Sequence, residues 1–155
     1  MAIFMGANVS AVYTTLDEGN TPALGDVFYG SGNKVYKFVQ YSEQAAAVDG
    51  VAGEVAYYVA DSGYGASQVT SDLSASDEVG AGVLQAALSD NEYGWIQIKG
   101  GATLTIALTA GADGDPLTPT GAADGTLDVS AAVTDAVCAI AADASAQEII
   151  CDFPF

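Results

Sequence analysis

The side chains able to do chemistry in this sequence are few, and they are carboxylates and thiols. Twenty Asp and Glu stand against three lysines, Lys34, Lys37 and Lys99, with no arginine and no histidine, for a formal charge of −17. Without imidazole there is no Ser-His-Asp or Cys-His nucleophile and no switch near neutral pH. Without arginine there is no bidentate phosphate clamp, and three scattered lysines leave no electrostatic footprint for DNA or RNA. Cys138 and Cys151 supply at most half of a zinc site, since four ligands are needed and only carboxylates remain to complete it. Asp113-Gly114-Asp115 has the outline of a calcium loop. Counting from Asp113, however, the fifth position is Leu117 and the sixth is Thr118, where glycine is required. It therefore reads as an acidic turn. Carboxylate catalysis needs two acids at a defined separation in a cleft, and no spacing singles out a pair. The expectation is a chain that is not an enzyme and holds no cofactor or metal.

The elements that position these residues are short. The chain has 155 residues, enough for one domain, and half of them are apolar. Alanine (29) and glycine (18) make up much of the total, so the core rests on Val, Ile, Leu and fourteen aromatics. Such a thin core makes oligomerisation or docking on a partner an expectation. No stretch of roughly 18 apolar residues is present to span a bilayer. Met1 to Gly6 lacks the basic start of a signal peptide, so export by a cleaved signal is not expected.

Residues 1–25 read as an N-terminal arm with a turn around Asp17–Pro22, and residues 26–155 as a β domain. Lys34–Tyr41 is a strand whose Tyr36 and Phe38 share one face, with Val35, Val39 and Tyr41 on the other. Glu54–Ala60 is a second strand, residues 67–72 are a weak one, and residues 43–53 hold one short helical turn. Val79–Leu88 is a strand loosened by glycine. Tyr93–Lys99 is expected to turn at Gly100-Gly101 into a return strand, Ala102–Thr109, with Leu104, Ile106 and Leu108 inward. The last segment reads as a hairpin with its loop at 143–146. Ile140 then faces Ile149, Cys138 faces Cys151 and Ala136 faces Phe153. Across such a hairpin a disulfide is geometrically conceivable. In a reducing cytoplasm the two cysteines stay thiols and pack as small hydrophobes. Most acids are expected in solvent-facing loops at 61–65, 72–78, 113–115 and 124–128.

Several stretches carry a resemblance to a known family: the aromatic strand Lys34–Tyr41, Val51-Ala52-Gly53-Glu54-Val55, and the glycine-spaced Gly80–Leu88. Above all there is Tyr93-Gly94-Trp95-Ile96-Gln97-Ile98-Lys99-Gly100. The loop Ala123–Asp128, Ala136–Ala141 and Ile149–Phe155 complete it. Across residues 26–155 the chain resembles the head decoration, or cement, proteins of tailed bacteriophages. Position 138 departs from the pattern, with Cys where Gly or Val is expected. The resemblance implies an all-β fold, a compact antiparallel β-barrel or β-tulip-like domain with an extended N-terminal arm. It also implies trimers on the outer surface of the virion, assembled in the host cytoplasm. There they bind the major capsid protein and cement neighbouring capsomers, with no nucleic acid or membrane partner.

Ile3, Phe4 and Met5, with Trp95, Phe153 and Phe155, are the residues expected at the capsid or partner interface. Trp is enriched at binding hot spots, and apolar termini gain order by docking, for example as an added strand. The alternative is a carbohydrate- or cell-binding surface module, with Tyr57, Tyr58, Tyr64 and Trp95 as a stacking platform.

Overall fold

The segment expected to fold back at Gly100-Gly101 runs straight on. In the computed structural model, which describes residues 6–61 and 63–155, Tyr93–Thr103 is one eleven-residue strand. Numbered in chain order, the strands are β1 (Val27–Tyr29), β2 (Val35–Tyr41), β3 (Val55–Val59), β4 (Gln68–Thr70), β5 (Ser76–Leu84) and β6 (Tyr93–Thr103). They continue with β7 (Pro116–Thr118), β8 (Asp128–Val129), β9 (Ala139–Asp143) and β10 (Glu148–Asp152). A single turn of helix, α1 (Gly63–Ala66), and a 3-10 turn, Leu73–Ala75, are the helical pieces among the described residues. The fold is all-β. The expected turn of helix in 43–53 is an irregular run of turns instead.

All ten strands belong to one sheet. From β2 the pairings pass through β4, β3, β5 and β6 and return to β2, closing a five-strand ring. Beyond the ring, β6 carries the second half of the sheet, β10–β9–β7–β8. The first part of β6 pairs with β2 and β5, and its last five residues, Lys99–Thr103, pair with β10. Gly100 makes this continuation possible. Its φ of +89° lies in the left-handed region, and a Cβ there would stand 2.9 Å from the Asn33 carbonyl oxygen. The glycine kinks the strand past the start of β2 rather than reversing it.

The segment after β6 keeps part of its expected pattern. Leu104 is buried and Ile106 and Leu108 half-buried, while Thr105, Ala107 and Thr109 are exposed. Its backbone bonds go elsewhere, however: Leu104 N–H to Gln147, Thr105 N–H to Gly53 and Thr109 N–H to Leu127.

The two faces of β2 divide as its alternation predicts. Val35, Val39 and Tyr41 enter the main core with Tyr57, Ile96, Leu117, Ile149 and Phe153. Tyr36 and Phe38 join Trp95 in a second, aromatic cluster. Over this cluster lie Ala7, Val9 and Tyr13. Tyr13 exchanges backbone hydrogen bonds with Tyr93 at 2.9 and 2.8 Å. Within the segment read as an arm, residues 7–13 thus cover the outer side of β2 and β6.

The C-terminal hairpin is present with its register displaced. The pairs are Ile149 with Ala141, Ile150 with Ile140 and Cys151 with Ala139. The loop sits one residue later than expected, with Gln147 at φ +60° and a bulge between Glu148 and Ile149. Ile140 therefore does not face Ile149, and Cys138 does not face Cys151. A slip in one strand changes which side chains share a face.

On the inner side of β5, a Cβ on Gly80 would come within 2.9 Å of both Cys138 Sγ and Phe153 Cε1. Gly80→Ala is expected to lower stability by roughly 1–3 kcal/mol through overpacking, read as a fall in Tm of about 2–4 °C per kcal/mol. Thermal unfolding followed by circular dichroism checks it.

Candidate functional site

The residues expected at an interface do not come together. Ile3, Phe4 and Met5 lie outside the described residues. Trp95 is 3% exposed, held between Phe38 at 5.2 Å and Phe28 at 6.2 Å in edge-on geometry. Phe153 is buried in the main core. Both expectations are corrected: these rings are core residues, because strand alternation turns Trp95 under the N-terminal cover and Phe153 under β5. Phe155 is half-exposed, with Lys99 Nζ 5.4 Å from its ring centre. The tyrosines do not form a platform either. Tyr57 and Tyr58 are buried, and only Tyr64 of the four aromatics is open to solvent.

The acids act mainly as local backbone acceptors. Asp115 accepts from Ala112 N–H at 2.8 Å and Asp113 from Ala144 N–H at 2.8 Å, so the Asp113–Asp115 stretch braces two turns. Glu43 and Asp90 bond reciprocally to each other's backbone N–H at 3.1 and 3.0 Å. Asp72, expected on the surface, is buried; it caps the 3-10 turn by accepting from the N–H and the hydroxyl of Ser74. Asp61, Asp77, Glu78, Asp113 and Asp124 are exposed as expected. Glu54 is half-buried, and that burial raises its pKa; its carboxylate accepts from Val51 N–H at 3.2 Å. Among the described residues no group of three acids or thiols converges to hold a metal ion.

The three lysines have different fates. Lys99 forms an ion pair with Asp152, its cross-strand neighbour on β10. Lys34 stands half-exposed beside β10. Lys37 is 5% exposed, and no carboxylate pairs with it among the described residues. Its Nζ donates to Tyr58 Oη at 2.9 Å and lies 5.0 and 5.2 Å from the ring centres of Tyr58 and Tyr64. Two aromatic faces take the place of a counter-ion. Burial lowers the Lys37 pKa, and burial likewise raises that of Tyr58.

Both cysteines are free and buried. Burial pushes the Cys151 thiol up to about 12 and raises Cys138 as well, so neither is a nucleophile near neutrality.

One surface stands apart. On the outer side of the second half of the sheet, register aligns Gly101 of β6, Ile150 of β10, Ile140 of β9 and Pro116 of β7 in one row. All four are exposed. The hairpin reading missed this row because it placed Ile140 against Ile149; the actual signal was the position of the loop. Compared with protein-family models, with curated proteins and with solved structures, the chain finds no match.

Two predictions concern the buried groups. At about pH 8 the native chain should react slowly with a maleimide, and in denaturant without reductant it should take up two adducts by mass. Fast labelling of the native chain would contradict the burial. For Lys37, the folded pKa lies below the unfolded one, so the unfolded chain holds the proton in between. The stability contribution of Lys37 is therefore lost as pH falls through the lowered value and is complete only above the unfolded value, about 10.4. Lys37→Met should gain on the wild type as pH falls from about 10 to about 7. Chemical denaturation of the two chains across that range measures it. The paired comparison cancels the opposite pH trend from the thiols.

Proposed function

We propose that the chain is a structural virion protein that binds the outer surface of a tailed-phage capsid and cements neighbouring major capsid protein subunits, as a trimer. The observation that carries the reading is the Tyr93–Gly100 stretch. The residues most like the decoration proteins form the body of β6, the strand on which both halves of the sheet hang.

Two further features support it. The first is electrostatic. A charge of −17 keeps an outward-facing shell protein soluble and away from nucleic acid. The second is the path of the N-terminus. Residues 7–13 are packed on the aromatic cluster and pinned at Tyr13. Ile3, Phe4 and Met5 precede this packed segment in the sequence, and their apolar side chains suit a short grip on a shell. Weak contacts of this kind become strong when one oligomer engages several equivalent sites together. The role is mechanical and needs no reacting group.

The test is decoration in vitro. Undecorated shells of the tailed phage encoding the chain are mixed with purified protein, pelleted and scored for occupancy. Deleting residues 2–5, which leaves the packed segment 7–13 intact, should abolish occupancy with no change in Tm. Unchanged occupancy would remove the arm from the mechanism, and no binding by the full chain would overturn the reading. Occupancy of the full chain should also weaken at about 0.01 M salt relative to about 0.15 M, because the screening length between like-charged copies grows from about 8 to about 30 Å.

A further inference from the structure

The first half of the sheet ends in an open edge. β1 is the end strand and pairs only with β2. Phe38 N–H donates to the Asp26 carbonyl and Gly30 N–H to that of Lys34, each at 2.9 Å, so the backbone at 26, 28 and 30 points to β2. Ladder alternation then turns the N–H and C=O groups of Val27 and Tyr29 away from it. Among the described residues these groups take no partner outside the sheet.

Beside this edge lies a hollow of about 180 Å³, lined by Ala7, Pro22, Asp26, Val27, Phe28 and Trp95. Trp95 is buried, and its Nε1–H has no hydrogen-bond acceptor among the described residues. Burying a donor without a partner is costly, and an acceptor brought into the hollow relieves that cost. The hollow continues past Pro22 and Asp26 into a second one of about 490 Å³, where Leu16 and Leu24 are exposed. The charged side chains lining the two are Asp26 and Glu18. Lys34, beyond the far end of β1, lines the β10 side instead.

Each feature specifies part of an occupant. The open edge takes an extended backbone. The hollow takes an apolar side chain, and the indole donor takes a carbonyl oxygen. The acidic rim takes Lys or Arg. A second copy of this chain does not supply the last, because two of its lysines flank β10 and the third is buried.

We infer that the edge of β1, with the groove from Trp95 to Leu24, binds an extended segment of a different protein, apolar at alternate positions and carrying Lys or Arg. The inference goes beyond the decoration reading, since the groove selects the segment by its chemistry, whatever larger protein carries it.

The experiment uses the full chain. Trp95 is its only tryptophan, so the indole N–H gives a single signal in a nitrogen–proton correlation spectrum. The probe is a blocked heptapeptide of alternating valine and threonine with a lysine at each end; a second peptide has glutamate there. Titrated to about 1 mM, the lysine peptide should move the indole signal downfield, saturably, and bind about tenfold more tightly than the glutamate peptide. The gap should narrow at about 1 M salt, where the screening length falls to about 3 Å. Val27→Pro removes an outward N–H without touching the ladder to β2 and should weaken binding about tenfold. Ala7→Leu fills the hollow, should weaken binding in the same direction, and covers the case in which Val27→Pro fails to fold. Ile150→Thr, on the other half of the sheet, should change nothing.

No saturable binding of the lysine peptide, equal binding of the glutamate peptide, an indole signal that stays in place while the peptide binds, or binding that survives both groove variants overturns the inference. Binding that appears only after residues 2–5 are deleted does so too, because it gives the groove to the chain's own N-terminus. Self-association of the chain that the peptide displaces gives the groove to a second copy and is equally fatal. Peptide binding that behaves as expected in a chain that never decorates shells leaves the inference standing and removes the decoration reading alone.

Discussion

The backbone hydrogen bonding of one strand governs the rest of this molecule. Buried N–H and C=O groups must be paired, and the eleven residues of β6 are paired by strands from both ends of the chain: β2, β5 and β10. Because β6 is a member of the five-strand ring and also the edge from which β10–β9–β7–β8 extends, the two halves of the sheet share a backbone. The ring does not close without it, and the outer strands join the ring through it. Gly100 is the residue that lets one strand serve both, since its positive φ and missing Cβ allow β6 to pass close to Asn33 and continue.

The packing follows from that arrangement. Gly94, Ile96, Gln97 and Ile98 of β6 are buried, and Trp95 faces the aromatic cluster. A single strand therefore feeds two separate cores. The outer core would lie open if Ala7, Val9 and Tyr13 did not cover Phe38 and Trp95. Residues 7–13 consequently do structural work before they can do anything at an interface.

Charge acts at a longer range than packing. Local turns absorb many carboxylates as backbone acceptors, which places acids in loops without requiring any partner. The lysines are spent differently. One is enclosed by two tyrosine rings, and the other two flank the outer row of β10. The result is a strongly acidic molecule whose two unburied lysines both lie beside the exposed Ile140–Ile150 pair.

Much of this was legible from local pattern. The two faces of β2, the β-rich class, the glycine-loosened β5, the C-terminal hairpin and the absence of imidazole chemistry all follow from side-chain period and composition. Such features depend on neighbours within a few residues or on residue types alone. Three things needed the tertiary structure. Whether Gly100-Gly101 turns or continues depends on β10 arriving from fifty residues away to pair with Lys99–Thr103. Which isoleucines face solvent depends on a single-residue displacement of the 144–147 loop, which the apolar residues on both faces of the hairpin did not specify. Whether Trp95 and Phe153 are anchors or core depends on what covers them, and the covers, Ala7–Tyr13 and β5, are remote in sequence. The sequence by itself determined the chemistry available and the faces of each strand, because those are set by side-chain identity and alternation. Pairing partners, register and burial were decided only when distant segments met, because hydrogen bonds and packing are made between strands rather than along them.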